Sequence, residues 1–552
     1  MKILIVGGVA GGASAAARLR RLDEEAEIIM FEKGNHISFA NCGLPYYIGG
    51  TIKEREKLLV QTPAGMGTRF NLDIRVNSGV TGIDRSKKTV SVLNEKTGET
   101  YTESYDRLIL SPGAEPVRPP IPGIELPRVY SLRSLDDTDL IAEHLRKIGA
   151  GRVVIVGGGF IGLEMAENCK HLGFDVNVIE AAAQLMAPLD PEMANFVHGY
   201  LRNKEVSLHL EQSVIAFEEE GEQITVRLKD GLGILADAVV LAIGVRPDSR
   251  LAAEAGLELG ERGAIRVNDY LQTSDPDIYA VGDAIEVKDF VNGKETYIPL
   301  AGPANRQGRL AADNIAGRGM TYKGTLGTSI VKLFDLVAAS TGNNEKTLQR
   351  LGLQYQKSYT FTASHAGYYP GAIPMNIKLL FDQKGKIYGA QIVGVKGVDK
   401  RIDVLATAIR SGLTVFELEE LELAYAPPFS SAKDPVNMAG FTAANILRGD
   451  VEVIHWHDVP EPLPAGRFVL DVRTPEEVAK GRIKGSVHIP LDEIRERIGE
   501  IPRDRELVVA CQSGLRSYIP CRILSQKGFN PQNLSGGYHI YSVAWGGSRK
   551  QK

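Results

Sequence analysis

The chain is poor in cysteine. Its 552 residues hold four, Cys42, Cys169, Cys511 and Cys521. None stands at the short spacing of a metal knuckle or of a redox dithiol, which argues against a disulfide framework, a zinc site and an internal disulfide at Cys42. No apolar run approaches the roughly twenty residues of a spanning helix. An excess of either charge is also missing: 64 Lys and Arg face 68 Asp and Glu, a formal net charge of −4. There is no basic field for a phosphate backbone or an anionic lipid surface. The opening MKILIVGG enters a buried-strand pattern with no charged-then-apolar leader before it. The expectation is a cytoplasmic protein that binds neither nucleic acid nor membrane, in which any cysteine chemistry is catalytic.

Glycine, in contrast, is abundant and placed. The stretch KILIVGGVAGGASAAARLRRL is an apolar strand, a glycine turn and an alanine-rich helix, and EIIMFEKG after it is a second strand ending on Glu32. The pattern recurs in GRVVIVGGGFIGLEMAENCKHLGFDVNVIEAA, ending on Glu180. In such a unit the first glycine permits a tight turn, the second lets backbone approach a pyrophosphate, and the third lets helix pack on strand. Gly157, Gly159 and Gly162 fit this fully; in the first unit Val9 replaces the middle glycine between Gly7 and Gly12. Glu32 and Glu180 stand where a carboxylate accepts hydrogen bonds from ribose hydroxyls. No Arg or Lys follows Glu180 in AAAQLM to neutralise a 2′-phosphate, so the second site is expected to favour NADH over NADPH. The fold class is α/β with two Rossmann-like dinucleotide-binding units.

Three further segments, LILSPGAEP, LAIGVRPD and TSDPDIYAVGDA, make residues 1 to about 446 resemble the flavin disulfide reductase superfamily. The resemblance implies FAD on the first unit, with Gly7, Gly12, Glu32, Gly113, Gly282, Asp283 and Pro303. It implies NAD(H) on the second, with Gly157, Gly159, Gly162, Glu180 and Gly244, and an α+β domain that makes a homodimer. The expected limits are 1–118 with 245–322 for the FAD domain, 119–244 for the NAD(H) domain and 323–446 for the dimerisation domain. SFANCGLPYY around Cys42 closely resembles the single-cysteine branch typified by the coenzyme A-disulfide reductases. Related peroxidases and water-forming oxidases place a histidine in the first glycine turn, where this chain has Ala10. The resemblance implies coenzyme A contacts at Ser14, Arg18, Arg21, Ser38, Asn41, Asn305 and Lys433, some of them across the dimer, and at Tyr368 or Tyr369 in AGYYPG, one of which reaches the partner subunit's site. LELAYAPPFSSAKDPVN lacks the histidine of the dithiol members, which leaves Tyr425 as the candidate proton donor.

After a linker at 447–454, residues 455–552 resemble a rhodanese domain in FVLDVRTPEEVAKGRIKGSVHIPL, in the loop CQSGLR and in LSGGYHIY. Consecutive amides in such a loop, with a helix N-terminus behind them, form a nest for a thiolate or persulfide on Cys511. The loop of residues 511–516 is one residue shorter than a related phosphatase loop, which favours sulfur over a phosphate ester, and Arg516 closes it. Cys169 and Cys521 read as core. Together these features imply an FAD enzyme that uses NADH to reduce sulfane sulfur on coenzyme A or another small thiol through Cys42, fused to a sulfurtransferase. Reduction of coenzyme A disulfide with the rhodanese domain as accessory, an NADH oxidase or peroxidase, and a sulfur-responsive binding protein are the alternatives.

Overall fold

The structure is a computed structural model that describes residues 1–549, those up to 546 with their side chains. The last three residues of the expected rhodanese segment lie outside the described residues. Two compact units are present. Met1–Ala183 with Val206–Gly327 form one, and Gln184–Glu205 with the chain from Thr328 form the other.

The first unit is built on two parallel five-stranded sheets. In the first, Lys2–Val6 lies at the centre, flanked by Glu27–Glu32 and Arg107–Leu110, with Asp73–Val76 and Ile278–Ala280 at the edges. Its strands are apolar runs because helices and loops cover both faces, and Ile3, Leu4, Ile5, Ile29 and Met30 are almost wholly buried. In the second, Arg152–Val156 lies between Asp175–Glu180 and Ala238–Leu241, with Val206–Leu210 and Val129–Ser131 outermost. Each central strand runs into a glycine turn and then a helix, Ala10–Arg20 in one case and Phe160–His171 in the other. Neither helix has a side-chain cap, so both leave their first amides pointing at the turn.

The second unit holds an antiparallel five-stranded sheet, ordered Ser329–Leu333, Leu336–Gly342, Ile387–Gly394, Pro374–Phe381, Gln356–Ala363. Helices Val398–Ser411 and Pro435–Leu447 pack on it. A parallel sheet follows, ordered Glu452–Ile454, Pro531–Leu534, Glu506–Ala510, Arg467–Asp471, Val487–His488. The two sheets are joined by polar contacts: Lys357 Nζ reaches His457 Nε2 at 3.1 Å, and a His539 ring nitrogen pairs with Asn376 Oδ1 at 2.9 Å. Among the described residues no helix is long and apolar enough to cross a membrane.

Candidate active site

The two glycine turns are built alike. A Cβ on Gly7 would lie 2.0 Å from Ser111 O and one on Gly157 2.2 Å from Ala242 O, and both residues have positive φ. A Cβ on Gly12 would lie 1.9 Å from Gly7 O, and one on Gly162 2.0 Å from Gly157 O, so the third glycine of each motif is demanded by helix-on-strand packing. Around Gly159 nothing lies within 4 Å of the added carbon. That open space above a bare helix N-terminus is what a pyrophosphate requires. Glu32 and Glu180 are held in the same way, each by two backbone amides: Gly8 and Gly34 at 2.9 Å for Glu32, Gly158 at 2.7 Å and Ala182 at 2.8 Å for Glu180.

Further along the first unit, Gly113, Gly244 and Gly282 all adopt positive φ. Gly282 N donates to Gln307 Oε1 at 2.8 Å, which sets the turn that carries Asp283. Burial pushes the Asp283 carboxyl up, against the opposing pull of Arg133. Pro303 lies in the first turn of helix Ala301–Ile315, which has no side-chain cap. Asn41 Oδ1 and Tyr297 OH are buried with no hydrogen-bond partner among the described atoms. Bare helix ends fit a dinucleotide at both turns, and the second adds the open space at Gly159.

Cys42 sits in the short 3-10 turn Asn41–Gly43, just before helix Leu44–Ile48. Ser38, whose φ of 45° is unusual for a residue with a side chain, donates its N–H to Gly8 O at 2.9 Å. The cysteine segment is thereby pinned to the first glycine turn. Cys42 is open to solvent on one side, yet the protein around it pushes its thiol up, and the carboxylates of Glu164 and Asp283 add to this. Tyr46 OH donates to Glu164 Oε1 at 3.2 Å. Burial raises the Glu164 carboxyl to about 7, the Tyr46 hydrogen bond opposes this, and Glu167 reinforces it. The sequence reading missed Tyr46, Glu164, Arg133 and Tyr297. Only Tyr46, four residues from Cys42, carried a positional signal.

The expected coenzyme A residues divide. Ser14 and Asn305, far apart in sequence, meet at 2.6 Å. Arg21 is exposed and stacks over the Phe70 ring at 5.4 Å. Arg18 is committed to Asp313 at 2.6 Å, an internal partner that the sequence did not disclose. In the second unit Tyr368 OH and Tyr425 OH are 2.7 Å apart, and Tyr369, turned toward His365, lines a cavity of about 600 Å³ together with Tyr425, Lys396, Lys400 and Phe429. Lys433 is exposed beside Asp434, which is buried against Arg401 at 2.9 Å and caps helix Pro435–Leu447.

Cys511 follows strand Glu506–Ala510 and is fully buried. The next helix, Leu515–Gln526, begins directly after Gly514, which takes a left-handed conformation at its N-cap. Gly514 N donates to Cys511 Sγ at 3.1 Å and Ser517 Oγ lies at 3.3 Å. The amides of Tyr538 and His539 hold Cys511 O and Gln512 O at 2.8 and 2.9 Å, turning those carbonyls away from the loop mouth. Arg516 is paired with Glu477 at 2.6 Å. Asp471 and Arg473 form a buried pair at 2.7 Å, and Arg473 also reaches Gln512 Oε1 at 3.3 Å. Cys169 and Cys521 are core residues; burial pushes the Cys169 thiol up to about 12 and the Cys521 thiol higher than usual as well.

Residues 1–308 match the pyridine nucleotide-disulphide oxidoreductase family, 328–435 its dimerisation domain, and 456–544 the rhodanese-like domain. A coenzyme A disulfide reductase of Staphylococcus aureus is 38% identical over 444 residues, 80% of this chain and 99% of its own. The crystal structure of reduced Bacillus anthracis CoADR-RHD is similar with TM-score 0.97 and 54% identity, covering 99% of this chain and 98% of that one. An NAD-dependent persulfide reductase from A. fulgidus is similar with TM-score 0.92 and 40% identity, covering 98% and 100%. The protein belongs to the pyridine nucleotide-disulphide oxidoreductase family, with a rhodanese-like domain following its dimerisation domain.

Proposed function

We propose that the protein oxidises NADH to reduce sulfane sulfur carried on coenzyme A, as a persulfide or polysulfide, through Cys42. The observation that carries this reading is the pairing in one chain of a solitary exposed cysteine beside a dinucleotide turn with a second cysteine whose sulfur takes a backbone amide just ahead of a helix N-terminus. The relatives support it: one is named for coenzyme A disulfide and another for persulfide. FAD, when bound, accepts hydride from NADH and supplies two electrons to sulfur.

The chain's own residues do the rest. With no second thiol in its segment, Cys42 cannot close an internal disulfide. It attacks the outer sulfur of a persulfide, or one sulfur of a disulfide, and releases the thiol. Ser14, Arg21, Ser38, Asn41, Asn305 and Lys433 are proposed to hold the carrier. Tyr425 is proposed as the proton donor to the departing thiolate, with Tyr368, hydrogen-bonded to it, orienting it; this favours Tyr368 over Tyr369. Arg18, already paired, is given the lesser role of shaping the first helix. The dimerisation domain supports a homodimer. We place the protein in the cytoplasm.

The test is steady-state NADH oxidation with coenzyme A persulfide, coenzyme A disulfide, polysulfide and peroxide side by side, on wild type and Cys42→Ser. The expected result is fastest turnover with the persulfide, and loss of at least about a hundredfold in Cys42→Ser while NADH still bleaches its flavin. Preference for the disulfide would favour a coenzyme A-disulfide reductase with an accessory rhodanese domain. Full turnover by the variant would remove the reading.

A further inference from the structure

Beneath the Cys511 loop lies a buried hydroxyl within reach of the sulfur. Ser517 is fully buried in the first turn of helix Leu515–Gln526. Its Oγ stands 2.6 Å from Asn533 Oδ1, 3.1 Å from Gly514 O and 3.3 Å from Cys511 Sγ. A hydroxyl has one proton to give. Asn533 is also buried, and its Nδ2 donates to Gly514 O at 2.9 Å, so its Oδ1 is the face turned to Ser517. The 2.6 Å separation is that of a short O–H···O hydrogen bond. The Ser517 proton therefore rests on Asn533, and the lone pairs of Oγ are left for the neutral sulfur group. Gly514 O, which already accepts from Asn533 Nδ2, and the sulfur itself are the other positions within reach of that proton.

We propose that Ser517 is a catalytic hydroxyl that swings its hydrogen bond from Asn533 to Cys511 Sγ when that sulfur becomes an anion, and so speeds release of sulfane sulfur from Cys511. The proposal rests on the reading of Cys511 as a persulfide carrier. In the release step a thiolate acceptor attacks the outer sulfur of the Cys511 persulfide. The bond between that sulfur and Sγ breaks, a new S–S bond forms on the acceptor, and the bonding pair stays on Sγ as a thiolate. No further oxidant, reductant or proton source is needed. The leaving sulfur departs faster the better its charge is held. Gly514 N is a fixed backbone donor; Ser517 is the donor that can turn toward Sγ as charge develops there, which is where a hydrogen bond lowers the barrier. Loading is different, because Sγ is then the nucleophile. A hydrogen bond to it raises the thiolate fraction but dulls its attack, and the two effects oppose each other. Asn533 acts through Ser517 and is a positioning residue.

The experiment uses the full-length holoprotein in single turnover, with loading from thiosulfate and unloading to cyanide followed separately. In Ser517→Ala, unloading is expected to slow about tenfold, the worth of one hydrogen bond to a charged group, with loading changed less than about twofold. Ser517→Thr, which keeps the hydroxyl, should unload at close to the wild-type rate. Intact loading shows that the loop has folded. Equal slowing of both half-reactions in Ser517→Ala, or of neither, would show that Ser517 only packs and would overturn the proposal. A wild-type protein in which mass spectrometry finds no persulfide on Cys511 after thiosulfate would overturn the sulfurtransfer reading and this proposal with it, whereas a loaded protein without the split overturns this proposal alone.

Discussion

Local charge at Cys42 works against the thiolate that the chemistry needs. Burial raises the thiol, the carboxylates of Glu164 and Asp283 raise it further, and helix Leu44–Ile48 brings Tyr46 onto Glu164. Because Glu164 sits at about 7, it changes charge near neutrality. Its proton is bound by the folded protein between the ordinary carboxylate range and about 7, but not by the unfolded chain. Its contribution to stability is therefore full below that range and is lost as pH rises through about 7. Glu164→Gln keeps the neutral form at every pH. It should gain about 1–3 kcal/mol over wild type at pH 8 and little at pH 5, read from urea melts at the two pH values. In the same variant iodoacetamide should modify reduced Cys42 about threefold faster at pH 8, since a like charge beside the thiolate is gone. An unchanged alkylation rate would mean that Glu164 does not act on the thiol.

The element that joins the antiparallel sheet to its neighbours is a buried charge cluster. Lys378, wholly buried on strand Pro374–Phe381, is salt-bridged to Asp190 at 2.8 Å and also to Glu192 and Glu345. Lys357 meets Glu345 at 2.8 Å, and Tyr359 OH donates to Glu192 at 2.8 Å. The three carboxylates have the geometry of a cation site, and an ammonium occupies its centre. Burial by itself raises the Glu345 carboxyl, but Lys378 and Lys357 override it and hold it at about 2. Its stabilising contribution is present above the ordinary carboxylate range and is lost as pH falls through about 2. Lys378→Met leaves the carboxylates facing one another in the dry interior, at a cost of about 3–5 kcal/mol. The variant should become harder to denature as pH is lowered from 8 to 5, because protonation of the unpaired carboxylates relieves the repulsion, whereas in wild type Lys378 and Lys357 keep Glu345 ionised over that range. The same unit carries His455, whose burial, with Lys357 beside it, lowers its imidazole to about 3. It stays neutral through the physiological range, so this junction between the sheets is not a neutral-pH switch.

At the scale of the whole molecule the two proposed sulfur sites have different requirements. Nothing in the Cys511 loop accepts electrons: its partners are Gly514 N, Ser517 and a nearby Arg516–Glu477 pair. At Cys42 burial and the carboxylates of Glu164 and Asp283 raise the thiol. Cys511→Ser should therefore abolish transfer of sulfur from thiosulfate to cyanide while leaving NADH-dependent reduction of free coenzyme A persulfide within about twofold of wild type. Coupling should show only when sulfur must first be loaded from a donor that the flavin site cannot take, because a tethered carrier raises the effective concentration at the second site. Measuring both half-activities and the coupled reaction on Cys42→Ser and Cys511→Ser tests this. Equal loss of simple reductase activity in both variants would make Cys511 part of the main electron path.

Features local in the chain were legible in the sequence by itself. The glycine turns, the acidic strand ends Glu32 and Glu180, the isolation of Cys42 and the loop of residues 511–516 all depend on spacing over a few tens of residues, where backbone geometry ties sequence directly to shape. Fold class followed from them, and the chemistry from the family resemblance that the same segments carry. What tertiary structure alone decided is every pairing between distant segments: Arg18 with Asp313, Ser14 with Asn305, Tyr46 with Glu164, Tyr368 rather than Tyr369 with Tyr425, and Ser517 with Asn533. A side chain's partner, and with it its charge and its freedom to bind a ligand, is set by which elements pack together. That packing depends on the sum of many buried contacts along the whole chain, and no single motif records it.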